Sequence, residues 1–341
     1  MCNPLSVPDT SANTNNFATS FRAAVASALV VVIGTQPVWA WGRDGHKMIN
    51  RLAVQYLAAD VPAFLHTPVA LDTIEYLGPE PDRWKQRDAE PELVATQSPD
   101  HFFDLEYANL AGSPCTTGST GCDAWAVTFP TKRYDFMRAL AVAQGRNLGL
   151  PLDERVGFAP WQVEEVWQRL KTDFREYRKL IAASQPTGPD ETAILFDIGW
   201  LGHYVGDGSQ PLHNTIQYNG WTGSNPHGYT VAHGIHAKFE SIYVTANVKR
   251  DADVAPLVAA SQPRVIDNEW DQYLDYLFHS NSLVETIYQL DKAGAFDGAG
   301  TPEGKTLADE RLAAGAIELR DLIYSAWVHS ADPVQEYQGP A

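Results

Sequence analysis

The sequence predicts an all-α protein in which one multi-helix domain follows a short leader. Three observations carry this expectation. Long stretches place apolar residues every three or four positions, nowhere is there a sustained strand-type alternation, and no glycine loop of the nucleotide-binding kind occurs. No internal repeat divides the chain, so its helices are expected to share one core. Of 341 residues, 44% are hydrophobic and ten are Trp, ample material for that core. Acidic residues number 42 against 25 basic ones, giving a net charge of −17. A surface this acidic does not attract polyanions, so a phosphodiester substrate would have to be drawn by cations held inside a site.

Residues 1–40 read as a signal peptide. Arg22 precedes the apolar run Ala23–Ile33, too short to span a bilayer, and Val38-Trp39-Ala40 has tolerated residues for signal-peptidase cleavage. The mature domain is then 41–341, exported to the periplasm or secreted. Cys2 is lost with the leader. Cys115 and Cys122, in the loop sequence CTTGSTGC, suggest one small disulfide, since no second Cys or His pair lies near to make a zinc knuckle.

The mature chain opens WGRDGHKMINRLAVQYL, with helical spacing at Met48, Leu52, Val54, Tyr56 and Leu57. His46 lies in the first turn. Cleavage before Trp41 would free an α-amine that, with the residue's own carbonyl, can chelate a metal. A short helix from about Leu71 to Gly78-Pro79 follows, with Asp82 in the Pro-rich turn beyond, where a carboxylate ordinarily just caps a helix. SPDHFFD then brings His101, which on its own reads equally well as a core histidine. Residues 109–128 form a Gly/Ser/Thr-rich loop. Helices are expected over 130–144 and over 160–183, the latter with Trp161, Val166, Leu170, Phe174, Tyr177 and Leu180 inside and a solvated charged face outside.

The densest signal is LGHYVGDGSQPLH. His203 and Asp207 share a face of the helix predicted over 191–205; Gly206, Gly208 and Pro211 are expected to break it and return His213 to the same place. Two imidazoles and a carboxylate suit a divalent ion. Further on, His236 and Glu240 again stand four apart, with His233 as a rival ligand one turn earlier. Helices over 263–291 and 302–328 complete the chain. The donors Trp41, His46, Asp82, His101, His203, Asp207, His213, His236 and Glu240 are too many for one zinc and too rich in nitrogen and oxygen for a thiolate structural site. They divide naturally into three sites with positions left open.

Together, WGRDGH, Asp82, HFFD, HYVGDGSQPLH and HAKFE resemble the trinuclear zinc phosphodiesterase family that contains S1/P1 nucleases and bacterial zinc-dependent phospholipases C. The resemblance spans Trp41 to Glu240 and implies an all-helical phospholipase C/P1 nuclease-like fold with three Zn²⁺ per chain. It implies one zinc on Asp82, His101, His203 and Asp207, a second on His213, His236 and Glu240, and a third on Trp41, His46 and the shared Asp207. Asp82 would also orient the attacking hydroxide or take its proton. Lys85 stands where the nucleases are expected to hold phosphate with Arg. Phe102 and Asp104 match the family's base-stacking aromatic and base-binding carboxylate. These matches favour a single-strand nuclease or 3'-nucleotidase acting on nucleic acid or nucleotides, without an obligate protein partner. The alternative is a phospholipase C acting on phospholipid head groups. In its favour, Glu240 after Ala-Lys-Phe resembles that branch where nucleases usually carry Asp, and Trp125 or Trp221 offers an aromatic that can touch lipid; no basic amphipathic stripe supports it. A non-catalytic zinc-binding protein is the third possibility, and a nine-donor cluster fits it poorly.

Overall fold

The computed structural model describes residues 41–85, 89–114, 127–146, 155–334, and all that follows concerns these. The expected leader at 1–40 and the Cys115–Cys122 pair lie outside the described residues. The architecture is helical throughout, apart from a two-stranded antiparallel pair, Ser113–Pro114 with Val127–Thr128. No helix among the described residues is long and apolar enough to cross a membrane.

Four helices make the frame: Gly42–Gln55, Ala159–Ala182, Gly188–Ser209 and Pro302–His329, each packed against others of the set. The first buries Ile49, Leu52, Ala53 and Val54, and stops at Gln55, so Tyr56 and Leu57 lie just past its end. The Ala159–Ala182 helix starts on Pro160, whose missing N–H costs nothing in a first turn. Its buried stripe of Trp161, Val166, Leu170 and Phe174 matches the sequence pattern, whereas Tyr177 is only half-buried. Trp161 joins Phe103, Phe129 and Phe136 in an aromatic cluster with ring centroids 4.2–5.9 Å apart. Such edge and stacked pairs hold the segment carrying His101 onto this helix.

Three boundaries differ from expectation. Asp82 belongs to a short helix, Glu80–Arg83, started by Pro81, and not to a turn. The single helix expected over 263–291 is two, Glu269–Asn281 and Val284–Lys292, with the break at Ser282 and Leu283. Most consequentially, Gly206 and Gly208 do not end the helix that carries His203: it runs from Gly188 to Ser209, and Pro211 alone stops it. Its glycines are used for close approach. A β-carbon at Gly202 would come within 2.2 Å of Asn50 Oδ1, and one at Gly208 within 2.7 Å of the Tyr273 hydroxyl. Packing this tight outweighs the roughly 1 kcal/mol that each glycine costs a helix interior.

The Pro302–His329 helix buries charge as well as hydrocarbon. Arg320 is enclosed and satisfied by Asp321 and by the carbonyls of Ser261 and Gln262. Glu318 is different: burial raises its carboxyl to about 8, Asp321 adds to the rise, and Arg264 and Gln272 oppose it. The folded state therefore holds a proton that the unfolded chain releases near 4.5. Stability present below that pH is lost progressively as pH climbs through the folded value. Glu318→Gln is expected to melt at the parent's temperature near pH ~4.5 and above it near pH ~9. A melting difference that stays constant across this range would refute the assignment.

Candidate metal centre

The long helix 188–209 supplies His203 and Asp207 from one face, four residues apart. His46 meets them from the first turns of Gly42–Gln55, its ring stacked on His203 at 3.9 Å. Gly206 permits this, since a β-carbon there would stand 3.0 Å from His46 Nδ1. Asp82 comes from its short helix, and His101 ends a 3₁₀ turn begun by Pro99. Another 3₁₀ turn, Pro211–His213, returns His213. His236 and Glu240 sit where α-helix passes into the π-helical turn Lys238–Tyr243, a wider turn that often marks functional positions.

These side chains converge into three buried groups: His46, His203 and Asp207; Asp82, His101 and His203; and His213, His236 and Glu240. Asp207 links the first two with separate oxygens. Its Oδ1 lies 3.3 Å from His46 Nε2, and its Oδ2 lies 3.0 Å from His101 Nδ1 and 3.4 Å from His203 Nε2. His233, the rival to His236, is exposed and takes no part.

Backbone carbonyls set the tautomers. His203 Nδ1 is 2.9 Å from Gly78 O, His213 Nδ1 is 2.7 Å from His101 O, and His236 Nδ1 is 3.1 Å from Tyr218 O. A carbonyl only accepts, so each Nδ1 donates, and a ring in its neutral form turns a bare Nε2 lone pair inward. Two such lone pairs, on His213 and His236, then face each other across 3.1 Å. Glu240 Oε2 completes that triangle at 2.9 Å from His236 Nε2 and 3.6 Å from His213 Nε2. Electron-rich atoms crowded at the edge length of a tetrahedral zinc shell, roughly 3.3 Å, repel one another unless a cation lies among them.

The polar ledger agrees. His46 Nε2, Asp82 Oδ2 and Asp207 Oδ1 are buried without a hydrogen-bond partner. Natural proteins rarely leave such atoms unpaired, and a dication satisfies them. Burial lowers His46 to about 4, against the opposing pull of Asp82, so the ring is neutral and able to ligate at physiological pH. Burial also depresses His101 and His203 and raises Asp207. At Glu240 burial acts upward, but His236 and His213 together bring the carboxyl down to about 2. The residues fit nitrogen- and oxygen-ligated divalent ions, zinc foremost.

The remaining candidates fall nearby with different standing. Trp41 is fully buried, and its indole N–H reaches both Gly206 O at 2.8 Å and Ser209 Oγ at 2.7 Å, which pins residue 41 one turn from Asp207. Lys85 Nζ lies 2.7 Å from Asp82 Oδ1. Phe102 is half-buried on extended backbone beside His101. Asp104 is buried outside the three groups, its carboxyl raised by burial and by Glu106. Sequence reasoning passed over Gln210, Ser209 and Tyr204, whose ring edges onto both His101 and His203. Their only signal is position, inside the same motif as the ligands.

No protein-family model and no curated protein matches the chain. Among solved structures, the fold is similar to "Alpha Toxin from Clostridium Absonum" at 13% identity and a TM-score of 0.39, over 88% of this chain and 68% of that one. It is also similar to the alpha-toxin of a Clostridium perfringens avian strain at 15% identity and a TM-score of 0.34, over 85% of this chain and 65% of that one.

Proposed function

We propose that this chain is a zinc-dependent phosphodiester hydrolase that binds three Zn²⁺, and that its substrate class is phospholipid. The observation that carries the hydrolase reading is the set of three buried ligand groups, two of them fused through His203, with carboxylate oxygens that lack a hydrogen-bond partner. Structural zinc sites close with four ligands each and stand apart. Sharing His203 between two groups, with Asp207 beside both, instead sets neighbouring cations close, the arrangement used for phosphoryl chemistry. When bound, zinc supplies a water of pKa ≈ 7 and neutralises charge that builds on phosphorus.

The chain's own residues do the rest. Asp82 Oδ2, buried and unpartnered, is free to orient the attacking water or accept its proton. Lys85 Nζ stands beside the same carboxylate as a point charge for a non-bridging phosphate oxygen, less directional than an arginine fork. Cleavage before Trp41 would free an α-amine already anchored by the buried indole. A precursor retaining Ala40 is therefore expected to bind less zinc than the exported chain starting at Trp41, by metal analysis. Equal zinc content would remove the amine from the ligand set.

Two features support a lipid over a nucleic acid. The net charge of −17 repels a polyanion and tolerates a zwitterionic head group. An aromatic side chain also stands exposed beside the His213–His236–Glu240 group: Tyr218, whose ring lies 6.1 Å from that of His236. Asp104, the expected base-binding carboxylate, is enclosed instead. Single-strand nuclease activity is the second reading, favoured by half-exposed Phe102 next to His101. The zinc-loaded mature chain is expected to cleave bis(4-nitrophenyl) phosphate and to release head group from phosphatidylcholine vesicles faster than nucleotides from single-stranded DNA. The opposite order, with Phe102→Ala raising KM for DNA alone, would establish the nuclease, and inertness toward all three would leave a scaffold.

A further inference from the structure

Gln210 makes no contact with substrate in any reading above, yet it touches both halves of one ligand group. It is fully buried at the bend between the Gly188–Ser209 helix and the 3₁₀ turn carrying His213. Its side-chain Oε1 accepts from Leu212 N at 2.7 Å and so caps that turn. Its Nε2 donates to Glu240 Oε2 at 3.0 Å, across 30 positions of sequence. Its own N–H donates to Asp207 O at 3.0 Å. One amide therefore fixes the turn that aims His213, the carboxylate of Glu240 and the end of the helix that carries Asp207.

The need for an amide follows from what surrounds Glu240. Its Oε1 has no partner, and its Oε2 faces the bare Nε2 atoms of His236 and His213. Both rings hold a backbone carbonyl through Nδ1, so it is their Nε2 atoms that share Glu240 Oε2 with a bound cation. Gln210 is the amide that holds Glu240 Oε2 from outside the ligand group. A neutral N–H can hold one oxygen in place without competing for the charge of a cation, whereas a Lys or Arg would neutralise the ligand and a Glu would repel it. Outer contacts of this kind commonly change metal affinity by about 10–100-fold.

We propose that Gln210 is the positioning residue of the His213–His236–Glu240 group, setting its metal affinity through Glu240 and its geometry through the cap on His213. The inference rests on that group holding a dication. Zinc retained by the full processed chain against a graded competing chelator tests it, with anomalous scattering to locate each ion. Gln210→Met removes donor and acceptor at similar volume; Gln210→Glu keeps an oxygen that caps Leu212 N, loses the donor and sets a second negative charge against Glu240. Both are expected to give up the ion on His213, His236 and Glu240 at ~10–100-fold lower chelator concentration than the parent, with the other ions held as before. Unchanged or tighter binding in Gln210→Glu, with loss in Gln210→Met alone, reduces Gln210 to a cap and overturns the proposal. An equal loss of all ions, tracking a lower melting temperature, overturns it as well. A parent chain that binds no zinc at all would instead sink the hydrolase reading along with it.

Discussion

Asp207→Asn is expected to lower phosphodiesterase activity on the order of a thousandfold, the several kcal/mol that a correctly held metal supplies. Zinc should fall at two sites while the His213–His236–Glu240 group keeps its ion. The reason is the division of labour between the two carboxylate oxygens, one at 3.3 Å from His46 and the other within 3.4 Å of His101 and His203. An amide presents one oxygen and one N–H, and the N–H meets a cation with the wrong sign. The same substitution should behave oppositely without metal. Burial raises the Asp207 carboxyl, so removing it relieves the metal-free fold. The variant should melt no lower than the parent when both are stripped, and below it when both are loaded. Unchanged zinc content would show that Asp207 is not shared.

Stripping the metals from the parent should have the second largest effect. Asp82, Asp207 and Glu240 are buried with little or no exposure, and several of their oxygens lack a donor. At a free zinc concentration about a thousand times Kd, each occupied site stabilises the fold by about 4 kcal/mol, and large domains lose roughly 2–4 °C per kcal/mol. A strong chelator is therefore expected to lower the melting temperature by more than about 10 °C, with zinc restoring it. The same melting temperature with and without chelator would mean that the groups hold no metal in the folded chain.

Much of this centre is legible in residue order. His203 with Asp207, and His236 with Glu240, stand four apart, and helical geometry alone places such pairs on one face. The frame is legible too: the stripe from Trp161 to Phe174 and the helix from Pro302 carry their own periodicity and their own proline starts. Where the reading of the chain failed, packing had overruled local preference. Glycines at 206 and 208 read as breakers, because a glycine in isolation gives up the most freedom on entering a helix. In the fold they are where His46 and Tyr273 press against that helix. Asp104, three residues from His101, is buried and belongs to none of the three ligand groups.

The sequence by itself determined which donors exist, their helical spacing and the acidic balance that demands cations within any phosphate-binding site. Only the tertiary structure decided which donors meet. It passed over exposed His233, gave His203 to two groups at once, and turned three imidazoles inward by offering the carbonyls of Gly78, His101 and Tyr218 to their other nitrogens. Those choices depend on atoms that every residue possesses, backbone oxygens placed by helices far apart along the chain, and no pattern of side-chain types can encode where they fall.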